Sequence, residues 1–206
     1  MPSGSVKGPG RAPSRIARHW IIAALAGAAL LILITSVLIY AGLYNIAADT
    51  PHTQSVYWLL KKVRERSVAV RTADIAIPAD LADERRIASG AAQYAEMCSG
   101  CHLAPGMKRT EISRGLYPRA PELRRGTSLT PAEEFWIVKH GIKLTGMPAW
   151  GVTHEDRLLW DIIAFLQKLP HLSPEQYQTA IKSAPKSHGE IMQEMKMEEG
   201  HDQGHP

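Results

Sequence analysis

Cysteine is scarce in this chain of 206 residues, which contains only two. Two cysteines cannot build a disulfide-dense scaffold or a metal site with four thiolate ligands. They can form one disulfide, one redox pair or one covalent attachment to a cofactor. A mean hydropathy of −0.17 excludes a protein with many membrane spans, and five tryptophans with 21% charged residues argue against a wholly disordered chain.

No long block of the chain has a large net charge of one sign. The chain carries 24 bases and 20 acids, for a net charge of +4. Residues 1–19 contribute +4, residues 20–97 are neutral, residues 98–170 contribute +3 and residues 171–206 contribute −3. No block is basic enough for a nucleic-acid-binding protein, so we expect no nucleic-acid partner.

One long apolar run is present, the 25 uncharged residues from Trp20 to Tyr44. As a helix it would measure roughly 37 Å, enough to cross a hydrocarbon core of about 30 Å. A cleavable signal peptide is the alternative, but its apolar region is shorter and only Ile46-Ala47-Ala48 could serve as a cleavage site. Because four bases and no acid precede the run, the positive-inside rule predicts a single-pass anchor with a cytoplasmic N-terminus and an exported remainder.

The exported part divides into a linker, a compact unit and a tail. In the linker, apolar residues recur at helical spacing between Val56 and Val63, with bases on the other faces. This helix is expected near the bilayer, against the next domain, or as a spacer. The complete division is a basic leader (1–19), a transmembrane anchor (20–44), a linker with an amphipathic helix (45–80), a compact unit (81–170) and an acidic tail with His and Met residues (171–206).

The compact unit contains helical patterns and no alternating strand pattern. The sequence predicts one helix over 82–99 and, after a long irregular stretch, a second from Pro131 to His140, capped by Thr130 and closed by Gly141. A last helix should open at Thr153 or His154 and end at Pro170. The unit is predicted to be all-α, and ninety residues with this much loop lack core unless another group fills it.

The two cysteines lie in the sequence Cys98-Ser99-Gly100-Cys101-His102. Two thiols at this spacing can add to the two vinyl groups of one haem, and the adjacent imidazole then lies under the iron. A thioredoxin-like redox pair needs a βαβ context, a zinc site needs more ligands nearby, and a structural disulfide across such a short loop is uncommon. We therefore predict one covalently attached haem c.

A second axial ligand is expected from Met147, which lies in the Gly- and Pro-rich segment 145–151. A methionine in such a loop is not part of an apolar helix stripe, the usual place for this residue. Met107 follows His102 by only five residues, too few to carry the chain around the haem. The remaining methionines lie on the attachment helix or in the polar tail, namely Met97, Met192, Met195 and Met197.

These residues resemble the class I c-type cytochromes, specifically small membrane-anchored monohaem proteins of bacteria, over about residues 84–170. The sequence from Gly90 through Tyr94 to Cys98 is similar to the family's first helix, which implies a close crossing at the glycine with the aromatic packed beside it. Residues 160–166 resemble its last helix. The segment 120–123 resembles the one whose proline carbonyl accepts a hydrogen bond from the ligating imidazole, which implies Pro121, with Pro105 and Pro118 as neighbouring competitors.

The resemblance implies a fold and a function. The fold would be a single N-terminal transmembrane helix followed by a small all-α cytochrome domain around one covalent haem. His102 and Met147 would occupy both axial positions, Pro121 would orient His102, and Trp150 would line the pocket or serve as core, as would Trp136, Tyr117 and Leu123. Such a site exchanges one electron and leaves no position for a small-molecule substrate.

We therefore predict an electron carrier rather than an enzyme, held on the bacterial inner membrane with its haem domain in the periplasm. Its expected partners are the membrane and redox proteins such as a dehydrogenase, a quinol-oxidising complex or an oxidase, and it could itself be a subunit of such a complex. A cluster of bases near the expected haem edge could steer an acidic partner: Arg109, Arg114, Arg119, Arg124, Arg125, Lys139 and Lys143.

Two other functions were weighed. The tail from His188 onward holds histidines and methionines that suit Cu(I), so a copper-handling protein with an accessory haem is the alternative. A disordered acidic terminus with some frayed helix over 188–199 is the simpler expectation for this tail, and His140 and His154 are expected at helix ends rather than as ligands. A haem peroxidase needs an open iron site and usually a second haem.

Overall fold

A computed structural model of the protein describes residues 15–202, all of whose regular elements are helical. The helices are α1 (Arg15–Tyr40), α2 (Gln54–Thr72), α3 (Glu84–Gln93), α4 (Ser99–His102), α5 (Glu111–Gly115), α6 (Pro131–His140), α7 (Asp156–Lys168), α8 (Pro174–Lys182) and α9 (His188–Asp202). The all-α prediction is confirmed. Lys7 and Arg11 of the leader and His205 of the tail lie outside the described residues.

Residues up to Ala47 form one of two units, and α1 is its helix. It is the one described helix that is long and apolar enough to cross a membrane, with a mean hydropathy of 2.7 over its most apolar window. The helix begins at Arg15 and ends at Tyr40, so it contains residues 20–40 of the predicted span of 20–44. Gly42 adopts a φ of +63°, and the Leu43 N–H donates to the Leu38 carbonyl over 3.2 Å, which together form a Schellman cap.

The second unit begins at Ala48 and contains α2 to α9. Helices α3 and α7 cross at its centre, and α2 packs against α6 on one side. Gly90 permits the close crossing, since a Cβ there would collide with the Asp161 carbonyl and lie 3.0 Å from the Phe165 Cβ. Tyr94 is fully buried beside this crossing, 5.6 Å from Phe165 between ring centroids.

The helix predicted over 82–99 is interrupted. An α-helix runs from Glu84 to Gln93, a π-helical turn follows over Tyr94–Cys98, and α4 takes the last four residues. In the π turn the Ser99 N–H donates to the Tyr94 carbonyl, five residues back, so one extra residue enters the helical register. Tyr94 and Cys98 both become buried, and sequence periodicity alone could not indicate this change of register.

The helix predicted from Pro131 to His140 is confirmed. Thr130 and Glu133 form a capping box, and Gly141 follows the helix with a φ of +64°. The predicted start of the last helix was wrong, because α7 begins at Asp156. Residues 150–152 form a 3-10 turn, and the His154 N–H donates to the Trp150 carbonyl over 3.0 Å. This local turn competes with the helix for the same backbone groups.

The sequence analysis predicted no helix over residues 174–182, and the structure has one there. Ser173 and Gln176 form a capping box at the start of α8, and Tyr177 of this helix is buried against Phe165 of α7. Helix α9 begins at His188, whose N–H donates to Glu96 Oε1 over 3.3 Å. The segment after Pro170 therefore adds apolar contacts to the compact unit.

Candidate functional site

The pair of cysteines lies where the π turn passes into α4. Cys98 is 7% exposed and belongs to the core cluster, while Cys101 is half-buried, and the two thiols are not joined by a disulfide. Burial, with the neighbouring Cys101 as a smaller cause, raises the pKa of the Cys98 thiol to about 12. A thiol that stays protonated at neutral pH is a poor redox nucleophile, so this chemistry disfavours a thioredoxin-like pair.

His102 is the last residue of α4, and its ring is held by a backbone oxygen. Its Nδ1 donates to the Pro121 carbonyl over 2.9 Å. Burial lowers the pKa of His102 and outweighs this hydrogen bond, which acts in the opposite direction. The neutral ring keeps a lone pair on Nε2, and Pro121 supplies the one hydrogen bond that the described residues make to this side chain. An imidazole oriented in this way is typical of a metal ligand.

Met147 lies in a loop between α6 and the 3-10 turn at Trp150. The Met147 N–H donates to Thr145 Oγ1 over 3.1 Å, and that hydroxyl donates to the Ile142 carbonyl over 2.8 Å. The Met147 carbonyl in turn accepts from the Ile142 N–H over 3.2 Å. These bonds fix the backbone of the methionine, whose side chain is half-buried against the core cluster that contains Cys98.

Two glycines allow this loop to pack closely. A Cβ at Gly141 would lie 2.7 Å from the Met147 carbonyl oxygen, and a Cβ at Gly146 would collide with the Leu116 side chain. The loop is therefore seated between the end of α6 and the segment after α5. Met97 and Met107 also contact the core cluster, so the length of chain after His102 remains the reason for preferring Met147.

The two remaining predicted site residues lie at the edges of this region. Tyr94 donates its hydroxyl hydrogen to the Leu103 carbonyl, directly after His102, and so connects the helix crossing with the end of α4. Trp150 is half-buried, and its ring meets the His154 ring edge to face with centroids 5.6 Å apart. His154 lies just before the start of α7 and is buried, and its ring stacks on His188 of α9 at 5.2 Å.

Two structural contacts around the site were missed by sequence reasoning. Thr110 donates its hydroxyl hydrogen to the Gly100 carbonyl, within the cysteine motif, and so ties α5 to α4. Arg86 bridges Asp80 and the buried Asp161 over 2.9 and 2.8 Å, at the crossing of α3 and α7. Only the N-cap pattern at Thr110 could have indicated the first contact, and no sequence signal indicates the second.

The basic cluster is partly neutralised. Glu122 pairs with Arg124 over 2.9 Å and with Arg125 over 3.0 Å, and the hydrogen bond from Arg124 is the main cause of its lowered pKa. Lys139 pairs with Asp156 over 2.7 Å. Three of the seven bases are therefore engaged with carboxylates, and the attraction for an acidic partner is weaker than the sequence count suggests.

The donor set fits a haem better than a protein-only metal site. Within residues 15–202, no group of three or more His, Cys, Asp or Glu side chains is placed to hold a metal ion. The site instead combines two unpaired thiols, a neutral imidazole with a free nitrogen and a thioether loop. These groups match a cofactor that brings its own metal and most of its ligands.

Comparison with known proteins agrees with this chemistry. A family model described as "Cytochrome C oxidase, cbb3-type, subunit III" matches residues 85–166. No curated protein and no solved structure matches the chain. Residues 85–166 hold most of α3 and of α7, together with the cysteine motif and the methionine loop. This segment is a class I c-type cytochrome domain, which carries covalently bound haem c.

Proposed function

We propose that the protein is a membrane-tethered electron carrier whose single haem c is attached to Cys98 and Cys101 and ligated by His102 and Met147. The observation that carries the proposal is the imidazole of His102, with Nδ1 committed to the Pro121 carbonyl beside two unpaired thiols. The cytochrome domain itself fits an electron carrier or an oxidase subunit.

Attachment would use the thiols of Cys98 and Cys101 without a co-reactant. Each S–H would add across one vinyl double bond, so that sulfur bonds to one carbon, hydrogen goes to the other, and nothing is released. Cys98 is buried and Cys101 is half-buried, so the inner thioether would lie in the core and the outer one near the surface. The haem would then supply apolar contacts that the small domain otherwise lacks.

The protein's contribution to electron transfer is to orient the ligands and exclude water. The haem supplies one-electron exchange between Fe(II) and Fe(III), and thioether ligation raises its potential. Pro121 keeps the His102 proton on Nδ1 and so presents Nε2, while Thr145 and Gly141 hold the backbone of Met147. With side chains in both axial positions, neither oxygen nor peroxide would find an open site.

The location and partners belong to the same proposal. Helix α1 is long and apolar enough to span a bilayer, and four bases without an acid precede the apolar run. We place the N-terminus in the cytoplasm and the haem domain in the periplasm of a bacterium, on its inner membrane. The partners would be redox proteins, a dehydrogenase or quinol-oxidising complex on one side and an oxidase on the other.

One spectrum of the full-length holoprotein tests the axial ligands. We expect a low-spin c-type spectrum with a methionine-to-iron band that disappears in Met147→Ala and persists in Met107→Ala. Met107→Ala is the matched comparison because both methionines contact the core cluster. Loss of the band in Met107→Ala instead would reassign the ligand. A high-spin wild-type spectrum, with ready binding of carbon monoxide, would overturn the proposal that the protein is an electron carrier.

A further inference from the structure

Helix α2 has two apolar faces, and only one of them is covered by protein. Its inner face packs toward α6, where Val68 and Thr72 are buried and where a cleft of about 560 Å³ separates the two helices. The exposed side carries Leu59, Val63 and Val70, which are 54%, 58% and 63% exposed, and Val63 lies at its edge, where it also lines the cleft. These three residues recur at spacings of four and seven, so they form one stripe.

One border of this stripe is basic. Lys62 and Arg66 lie beside it on the same exposed half of the helix. Helix α2 contains one acid, Glu65, against its five bases, Lys61, Lys62, Arg64, Arg66 and Arg71. Glu65 pairs with Lys62 over 2.9 Å and with Lys61 over 3.7 Å, and each of these side chains is more than 40% exposed. Paired surface ions of this kind still leave a net positive helix.

Aromatic residues lie at the start of the same helix. Trp58 is 60% exposed, whereas its neighbour Tyr57 is 41% exposed and lines the cleft. Amphipathic rings of this type prefer the level of lipid headgroups. An apolar stripe, a basic border and an exposed tryptophan at one end are the combination that favours helices lying in the plane of a membrane interface, with attraction to anionic lipids.

We propose that the outer face of α2, defined by Trp58, Leu59, Lys62, Val63, Arg66 and Val70, docks on an anionic lipid surface. The stripe would enter the acyl boundary while Lys62 and Arg66 contact phosphate groups. This surface lies outside the segment 85–166 that matches the cytochrome family. The inference rests on the proposed function insofar as α1 must insert in the same bilayer.

Docking would orient the cytochrome domain on its tether. Because the inner face of α2 packs on α6, a helix held at the lipid surface would fix the direction in which the domain faces. The domain would then present one side to membrane-bound redox partners instead of tumbling on a flexible linker. The encounter rate with such a partner would depend on the lipid charge as well as on the partner's charge.

The test uses full-length holoprotein in two kinds of nanodisc, one that contains anionic lipid and one made of zwitterionic lipid alone. Val63→Cys and Val70→Cys are each labelled with a polarity-sensitive fluorophore, since the native cysteines of the holoprotein are thioethers under the proposed function. Val152→Cys is the matched control, because Val152 is 83% exposed and lies outside α2. Lipid-borne quenchers report contact with the acyl region.

We expect quenching at positions 63 and 70 to exceed that at position 152 at least threefold in anionic nanodiscs, and to fall toward the control in Lys62→Glu/Arg66→Glu. Equal quenching at all three positions would overturn the docking. Protection of positions 63 and 70 only after a redox complex is added would assign the face to a protein instead. A chain that does not enter nanodiscs at all would refute the anchor, which separates failure of the proposed function from failure of this inference.

Discussion

The two sides of the proposed haem site are held by different means. His102 lies at the end of a helical segment whose residues cross α7 at Gly90, and its neighbour Cys98 belongs to the central core. Met147 lies in a loop that depends on Thr145, Ile142 and a glycine with positive φ. The histidine side is therefore coupled to global stability, whereas the methionine side is maintained by local contacts that can open while the domain stays folded.

The largest effect is expected at Gly90, which supports the histidine side. Gly90→Ala places a Cβ against the Asp161 carbonyl and should lower the free energy of unfolding by about 2–3 kcal/mol. Denaturant unfolding of the holoprotein, followed at the Soret band, measures this change. Gly115→Ala is the control, since its Cβ would meet nothing within 4 Å. Equal stability of the two variants would contradict the close crossing.

A smaller and more local effect is expected at Gly141, on the methionine side. Gly141→Ala should cost about 1–2 kcal/mol through its positive φ, and its Cβ also displaces the Met147 backbone. The methionine-to-iron band should therefore disappear at a lower temperature than in the wild type, before the core unfolds. Gly126→Ala has a similar φ of +78° but its nearest neighbour is 3.6 Å away, so it should destabilise the protein without selective loss of the band.

Removal of the hydroxyl of Thr145 should have a smaller effect again. Thr145→Val loses two hydrogen bonds, to the Met147 N–H and to the Ile142 carbonyl, and should weaken methionine ligation by about 1 kcal/mol. Competition with added imidazole, monitored by absorption, measures this as a roughly fivefold tighter apparent binding of imidazole. Thr145→Ser keeps the hydroxyl and should restore the wild-type value, whereas an unchanged Thr145→Val would show that the loop does not depend on this side chain.

The smallest effect concerns the tail. His188 of α9 stacks on His154, and the His154 ring contacts Trp150, which follows the methionine loop. Burial, followed by the nearby His188, lowers the pKa of His154 below its ordinary value of 6.5, so the docked state prefers the neutral ring. When α9 is detached, His154 binds a proton more readily. Docking of α9 should therefore weaken as the pH falls below about 6.5. Hydrogen exchange of α9 amides, corrected for intrinsic rates, should accelerate between pH 7.5 and 5.5.

His188→Phe provides the control for that measurement. It preserves a ring stacked on His154 and removes the imidazole that contributes to the lowered pKa of His154, 5.2 Å away between ring centroids. The pH dependence of α9 exchange should become shallower in this variant. An identical pH dependence in wild type and variant would mean that the stacked pair does not hold the tail.

Local patterns made the chemical motif and one helix predictable. Thr130, Pro131 and Gly141 each act on the backbone within a few residues, and the helix they bound was predicted with its ends. The spacing of Cys98, Cys101 and His102 similarly indicated a covalent haem without knowledge of the fold. Such signals depend on short-range geometry, which sequence alone carries.

Contacts between distant segments were not predictable in this way. The π turn before Cys98 changes a helix boundary, and it places Tyr94 in the core beside Phe165 of α7. Helix α8 was missed because its one strongly buried residue, Tyr177, finds its partner Phe165 in another helix. A weak local helical preference becomes a stable helix only when tertiary contacts supply the missing free energy.

The sequence by itself determined the composition of the site: two thiols, an imidazole and a methionine loop, preceded by one long apolar run. Those features follow from residue type and spacing, because covalent chemistry, metal preference and hydropathy act locally. The tertiary structure decided which proline carbonyl orients His102, how many bases remain unpaired around the site, and which face of α2 stays exposed. Each of these depends on residues far apart in the chain, and only packing brings them within a few ångströms.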